Sequence, residues 1–537
     1  MIKLNKAIST SLLVLCLLFM LFLMGCKISV NAAPTTRTVD DDGPADFHTI
    51  QEAINSPDVK DGDTIFVRIG TYYEHVLVNK SVSLIGEDRD LTIIDGGNGT
   101  GNGISIVAAN NVSIQGFTIK RSGLRPYSGI FIDHSSGTDI SHNTITNNYY
   151  GISLYLSTNN VVSGNTISSN NYDGISFSSS GNNLVLGNTI TNNYYGISFY
   201  SSTNNLVLGN TITNNNGGIS FYSFGNNLVL GNTITNNYYG MYFLLYSNNT
   251  IYFNNFNNKY QVYSVGSTNV WDDGDEGNYW SDYTGQDLNG DGIGDIPYVL
   301  DVNNQDNYPL MGVFSDFTVT LQRETCHVTT ICNSTISQFR FEIGSETGNM
   351  IIRFNVAGED GTVGFCRIMI PTELMNYPYI VLVDLEEIVP TLLDVSNEMY
   401  VYLYFTYNHS SHIVTIISSH VRRLETDLYN LNETYYGLLN SYSVLLGNYS
   451  QLLNSYRELN NSHQEHLLDY SKNVQNIQNI VYIFASTTAI FIITTIYLSK
   501  SAHARKTRTS VSSSKANKIT VAIEQKNIRP AESSGES

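Results

Sequence analysis

Cysteine is scarce in this chain: five among 537 residues. Cys16 and Cys26 fall in an apolar N-terminal stretch, which leaves Cys326, Cys332 and Cys366 for the rest. There is no CxxC and no His/Cys spacing of a metal site, so zinc-finger and thioredoxin-like chemistry are excluded. The odd number permits one bridge and one thiol, and the sequence does not choose the pair. Charge is scarce too, at 14% of residues against an ordinary ~25%. Lys and Arg (28) are outnumbered by Asp and Glu (47), for a net charge of −19. Nucleic acid is thereby excluded as a partner, because a phosphate backbone demands a basic face. Between Pro126 and Asn258 there is no Lys, Arg or Glu at all. In place of charge stand Asn, Ser, Thr, 42 Gly and 37 Tyr, while 42% hydrophobic residues exclude global disorder. Such a composition points to a β-rich, secreted-type surface protein.

Both ends carry membrane signals. Lys3 and Lys6 precede an apolar run over 12–24, too short to span a bilayer and suited to a signal peptide, here 1–32. Val30-Asn31-Ala32 offers a cleavage site, and Leu23-Met24-Gly25-Cys26 offers lipidation at Cys26 as the alternative. Residues 480–498 form an uncharged run followed by Lys500, Arg505, Lys506 and Arg508. This run is long enough to span, and its basic flank places the tail, 499–537, in the cytoplasm. The tail has no apolar period and is expected to be disordered. Sequons such as Asn79-Lys80-Ser81 and Asn333-Ser334-Thr335 permit N-glycosylation where the host has that machinery.

A repeat decides the fold. Asn182-Asn183-Leu184-Val185-Leu186-Gly187-Asn188-Thr189-Ile190 recurs from Asn204 and from Asn226, 22 residues apart each time. The step from Asn165 to Asn188 is 23, which one extra residue around 170–173 explains. Each unit holds three short pieces with strand alternation, such as Ile197 and Phe199 against Ser198, separated by Asn-Asn, Gly-Asn and Tyr-Gly turns. Twenty-two residues cannot enclose a core alone; stacked, they bury a continuous apolar column. The spacing predicts a parallel β-helix over 38–311, with Asn ladders at its turns and an amphipathic helix near Ile50 closing its first end.

The lead-in, with Gly70-Thr71-Tyr72-Tyr73-Glu74, resembles the start of pectin-active right-handed β-helix proteins. The repeats, with Gly277-Asn278-Tyr279-Trp280-Ser281-Asp282-Tyr283 and Gly290-Asp291-Gly292-Ile293-Gly294-Asp295, resemble the NosD family over about half the chain. That resemblance implies a right-handed parallel β-helix and, by the family's name, copper delivery to nitrous oxide reductase; many relatives are surface proteins without assigned activity. Copper is not supported by the residues, since Pro34 to Met311 contains no Cys, two Met and only His48, His75, His134 and His142. The pectin methylesterase resemblance ends at the lead-in, and its downstream Gln, Asp and Arg motifs have no counterpart in the coils.

Three sets of residues are candidates. Asp133, His134, Asp139 and His142 are the best enzymatic group, because carboxylates near histidines could act as acid and base on a polysaccharide; solvated turn residues are the other reading. Tyr150, Tyr195 and Tyr239 share one phase of the repeat, and Tyr155, Tyr200 and Tyr222 another. Stacking would align them as an aromatic strip suited to sugar rings, or as ladders with no ligand. Asp287, Asn289, Asp291, Ile293 and Asp295 have the donor spacing of a Ca²⁺ loop, without the Glu expected at the twelfth position.

Downstream, alternating segments over 315–418 predict an Ig-like β-sandwich. Over 419–479, Leu428, Tyr435, Tyr442, Tyr449 and Tyr456 repeat every seven residues, as do Leu431, Leu438, Leu445, Leu452 and Leu459. Their offsets are those of a coiled-coil seam, predicting a self-associating stalk. The sequence therefore predicts an all-β ectodomain on a helical stalk with one transmembrane helix. The expected role is non-catalytic binding of glycans or surface proteins, or envelope structure. A polysaccharide lyase or hydrolase and a copper accessory protein are the rival readings.

Overall fold

In the computed structural model the 22-residue units wind into rungs, each pairing its strands with the next. Residues 34–505 are described, apart from 223–224, 246, 322–323, 346, 377 and 419–423. The leader at 1–32 and the tail from 506 lie outside the described residues. Three parallel sheets of ten, ten and nine strands run the length of the solenoid. One rung shows all three: Leu184–Leu186 in the first sheet, Thr189–Thr191 in the second, Tyr195–Tyr200 in the third. Register follows sequence identity, with Leu184 opposite Leu206 and Leu206 opposite Leu228.

Inward positions form columns. Val185, Val207 and Val229 line the first sheet, Ile190, Ile212 and Ile234 the second, all fully buried. In the third, Phe177, Phe199, Phe221 and Phe243 stack with centroids 4.8, 5.0 and 5.1 Å apart. At three turns of each rung a residue in left-handed conformation precedes a buried Asn, as Gly187 and Gly209 do at φ 62° and 63°, while at a fourth Ser201, at φ 50°, precedes the buried Ser202, whose Oγ accepts from Ser180 N–H at 3.0 Å. The Asn side chain then reaches one rung back. Asn210 Oδ1 accepts from the Asn188 backbone N–H at 2.8 Å, while Asn210 Nδ2 donates to Val185 O at 2.9 Å and to Asn232 Oδ1 at 2.9 Å. Three such ladders run through Asn188, Asn193 and Asn183, so the expected Asn stacks are present.

Both ends are closed. At the first, a helix over Ile50–Asn55, capped by Thr49 Oγ1 accepting from Glu52 N–H, buries Ile50, Ala53 and Ile54 in the solenoid core. At the last, the ladders end on groups outside the repeat. Asn278 N–H donates to Asp306 Oδ2 at 2.7 Å, Asn269 N–H to Asn304 Oδ1 at 2.9 Å, and Asn258 N–H to Gln261 Oε1 at 3.1 Å. Trp280 stacks on Phe256 at 4.4 Å and donates Nε1–H to Asp306. The Asn-Tyr-Trp motif is thus the terminal rung.

Beyond it, ten antiparallel strands form two five-stranded sheets that share a core of Val328, Ile368 and Leu403 from one and Ile352, Phe354, Val414 and Ile416 from the other. This exceeds the seven strands of a constant-type immunoglobulin sandwich. The sheets meet the solenoid end through Ile293, Leu310, Phe314, Ile331 and Phe365. A salt bridge between Arg367 and Glu276, both largely buried, joins them as well.

A second unit, from Leu424, is one helix to Arg505. It holds one segment long and apolar enough to cross a membrane. Within it Leu438, Leu445, Leu452 and Leu459, with Tyr442, Tyr449 and Tyr456, are exposed. The side chains of Leu428, Leu431 and Tyr435 lie outside the described residues.

Candidate functional site

The outer face of the third sheet is a wall of tyrosines. Tyr149, Tyr172 and Tyr194 stack on successive rungs with centroids 5.8 and 5.3 Å apart and rings within 15° of parallel. Tyr200 and Tyr222 stack at 4.6 Å, and Tyr242 and Tyr263 at 4.8 Å. The strand register explains the rows, since outward side chains on consecutive parallel rungs stand about 4.8 Å apart. Tyr155, Tyr194, Tyr238 and Tyr260 are each at least 40% exposed, so flat aromatic faces border solvent. Lys259 lies over Tyr238 at 4.5 Å.

The two expected tyrosine rows are only partly continuous. Tyr150, Tyr195 and Tyr239 share a column, but Asp173 and Gly217 stand between them. Tyr195 leans over Gly217, where an added Cβ would lie 2.5 Å from its ring, and is nearly buried there. Tyr155, Tyr200 and Tyr222 share a second column with Ser178. The best stack includes Tyr172, which sequence phasing missed. The extra residue is Asn171, whose N–H bonds Asn148 O while Tyr172 N–H bonds Tyr149 O. Realigning the repeat by one after Asn170 would have found it.

Asp173 lies fully buried beneath this wall, with the Ser198 and Ser176 hydroxyls as its polar neighbours but no well-formed hydrogen bond to either carboxyl oxygen. Burial pushes its carboxyl up to about 7, against a partial opposing effect of the Ser198 and Ser176 hydroxyls. Desolvation, then the Asp173 charge, pushes Tyr150 up to about 12 and Tyr200 higher still.

The enzymatic candidates do not assemble. Asp133 ends a strand of the third sheet and Asp139 begins one of the first. His134 and Asp133 do pair, Nδ1 to Oδ1 at 2.6 Å, in an exposed position. Asp139 bonds only the Ser141 hydroxyl, at 3.3 Å. His142 holds the left-handed corner that Gly164 holds on the next rung, at φ 56°, and its ring covers Gly164. These contacts give His142 a corner-filling role.

In the 287–295 loop the oxygens are engaged by the loop itself. Asp287 accepts from the N–H groups of Gly290, Asp291 and Gly292, Asp291 from Ile293 N–H, and Asp295 from Leu288 N–H. Asn289 bonds Asp291 at 3.0 Å. Among the described residues, Asp40, Asp41 and Asp42 are the one trio of His, Cys, Asp or Glu whose ligand atoms lie within 4.8 Å of one another. Of the soft or imidazole donors, Met241 is fully buried in the core and His75 Nδ1 lies 2.7 Å from Asn102 O.

Residues 62–285 match the family described as "Periplasmic copper-binding protein (NosD)". A cell surface glycoprotein of Methanothermus fervidus is 39% identical over 111 residues, 20% of this chain and 18% of that protein. The chain therefore spans less than a fifth of that relative. Among solved structures, a pectate lyase matches at 15% identity and a TM-score of 0.35, over 45% of this chain and 81% of the other. An alginate lyase from Paenibacillus matches at 13% and 0.29, over 44% and 95%. At these scores neither bears on the chemistry of this chain.

Proposed function

We propose, taking residues 62–285 as a NosD-like parallel β-helix, that this is a membrane-anchored surface protein whose tyrosine wall binds neutral glycans without turning them over. The observation that carries the reading is the run of solvent-bordering rings on one face of the third sheet. Tyr offers a flat apolar surface and a hydroxyl, the combination that suits a sugar ring. Between Pro126 and Asn258 there is no Lys, Arg or Glu, so apart from Lys259 over Tyr238 at one end the wall offers no Lys or Arg from these rungs to pair with a uronate, which favours uncharged glycans. The glycoprotein relative and the apolar helical segment support a surface location. Self-association of two or more copies through the exposed Leu and Tyr seam belongs to the same reading.

The test is a glycan array probed with the full-length protein in detergent. Binding to neutral glycans is expected, and Tyr194→Ala weakens it about tenfold or more, as loss of a central aromatic contact does. New reducing ends or unsaturated products from a polysaccharide would replace this reading with an enzyme. Calcium at the 287–295 loop is proposed as structural, on the spacing of its donors alone. Metal analysis of the purified chain is expected to return calcium and no copper.

A further inference from the structure

We propose that Cys332 and Cys366 are joined by a disulfide in the mature protein and that Cys326 remains a thiol. The inference rests on the external placement of the β-sandwich argued above, because only an oxidising compartment maintains such a bond.

The two cysteines stand directly opposite one another on neighbouring antiparallel strands, Glu324–Cys332 and Val363–Pro371. Opposed residues in such a ladder have Cα atoms about 4.5 or 5.5 Å apart, inside the range that a disulfide bridges. Both thiols face the sandwich core and both are fully enclosed. The Cys366 thiol beside it draws the Cys332 thiol down to about 7, the Tyr407 hydroxyl helping, while burial pushes Cys366 up.

Cys326 is excluded by geometry. It lies six residues back along the strand of Cys332, about 20 Å at strand rise. It pairs across to Val319 and donates towards Glu373 Oε1 at 3.5 Å.

The reaction is balanced by an oxidant carrying its own disulfide, an envelope oxidoreductase in the cell or glutathione disulfide in the tube. Two S–H bonds break, one S–S bond forms, and two protons and two electrons reduce the oxidant to its thiols. The ring so closed contains the strands Thr335–Ile343 and Met350–Ala357, which belong to the other sheet. One bond therefore ties the excursion to the second sheet back onto the first. On the opposite side of the same two strands, Ile331, Phe365 and Arg367 meet the solenoid end.

The experiment is peptide mapping of the full-length chain, taken from cells into an alkylating denaturant without reductant. A linked peptide pair carrying Cys332 and Cys366, with Cys326 alkylated, is expected. Alkylation of all three, or a bridge to Cys326, overturns the proposal. Refolding the reduced chain with glutathione disulfide separates the causes: a Cys332–Cys366 link formed there but missing from cells means that the external placement has failed, not the geometry. In the double variant C332A/C366A, the sandwich is expected to melt about 10 °C lower than the bridged chain.

Discussion

Asn210→Ala destabilises the solenoid by about 3–6 kcal/mol, read by denaturant unfolding of the full-length protein in detergent. The size follows from what the side chain satisfies. Its Oδ1 accepts from Asn188 N–H and Asn188 Nδ2, and its Nδ2 serves Val185 O, Leu208 O and Asn232 Oδ1. Alanine strands a buried N–H on the rung behind and removes a donor from two carbonyls, each loss costing about 1–3 kcal/mol when water cannot enter. Asn210→Asp is expected to be nearly as harmful, because it keeps the acceptor but loses both donors and adds a buried charge. A mid-ladder effect below about 1 kcal/mol would show that the ladders are decoration on a fold held by its apolar columns.

The second large effect concerns pH. The folded carboxyl of Asp173 lies at about 7 and its ordinary value is 3.8. Between those values the folded chain holds the proton and the unfolded chain has lost it, so stability falls as pH rises through that window. At 1.36 kcal/mol per unit the full penalty is at most about 4 kcal/mol. Asp306, Glu74 and Glu276 are also raised by burial and slope the same way. The measurement is therefore the difference between the parent and Asp173→Asn. The variant is expected to gain stability relative to the parent from pH 4 to pH 8, with no further gain above. A constant difference across that range would mean that Asp173 is ionised and hydrated in the folded protein.

The solenoid was legible because its register is written as sequence identity: Val185, Val207 and Val229 occupy the same column for the same reason that they occupy the same place in the repeat. The ladders were legible too, since Asn recurs where the corners must be. The closing groups were not, because Asp306, Asn304 and Gln261 lie outside the repeat, and only the fold brings them to the ladder ends. The tyrosine rows were half legible. Periodicity placed Tyr150, Tyr195 and Tyr239 in one column, but one inserted residue hid Tyr172, and nothing in the alternation showed that Asp173 would be sealed beneath the rings. Asp133 and Asp139, near in sequence, were parted by a corner that puts them on different sheets. Downstream, edge strands such as Thr391–Leu392 are too short to carry a period, and Val363–Pro371, a central strand buried almost throughout, shows no alternation to read.

Because every rung is bonded only to its two neighbours and the terminators sit outside the repeat, nothing in the chemistry counts the rungs. A gene that duplicates or drops 22 codons in frame changes the reach of the protein by one step of about 4.8 Å and leaves both stoppers fitting as before. The solenoid is in this sense a ruler of adjustable length, and each added step lengthens the aromatic face by one more place for a ring.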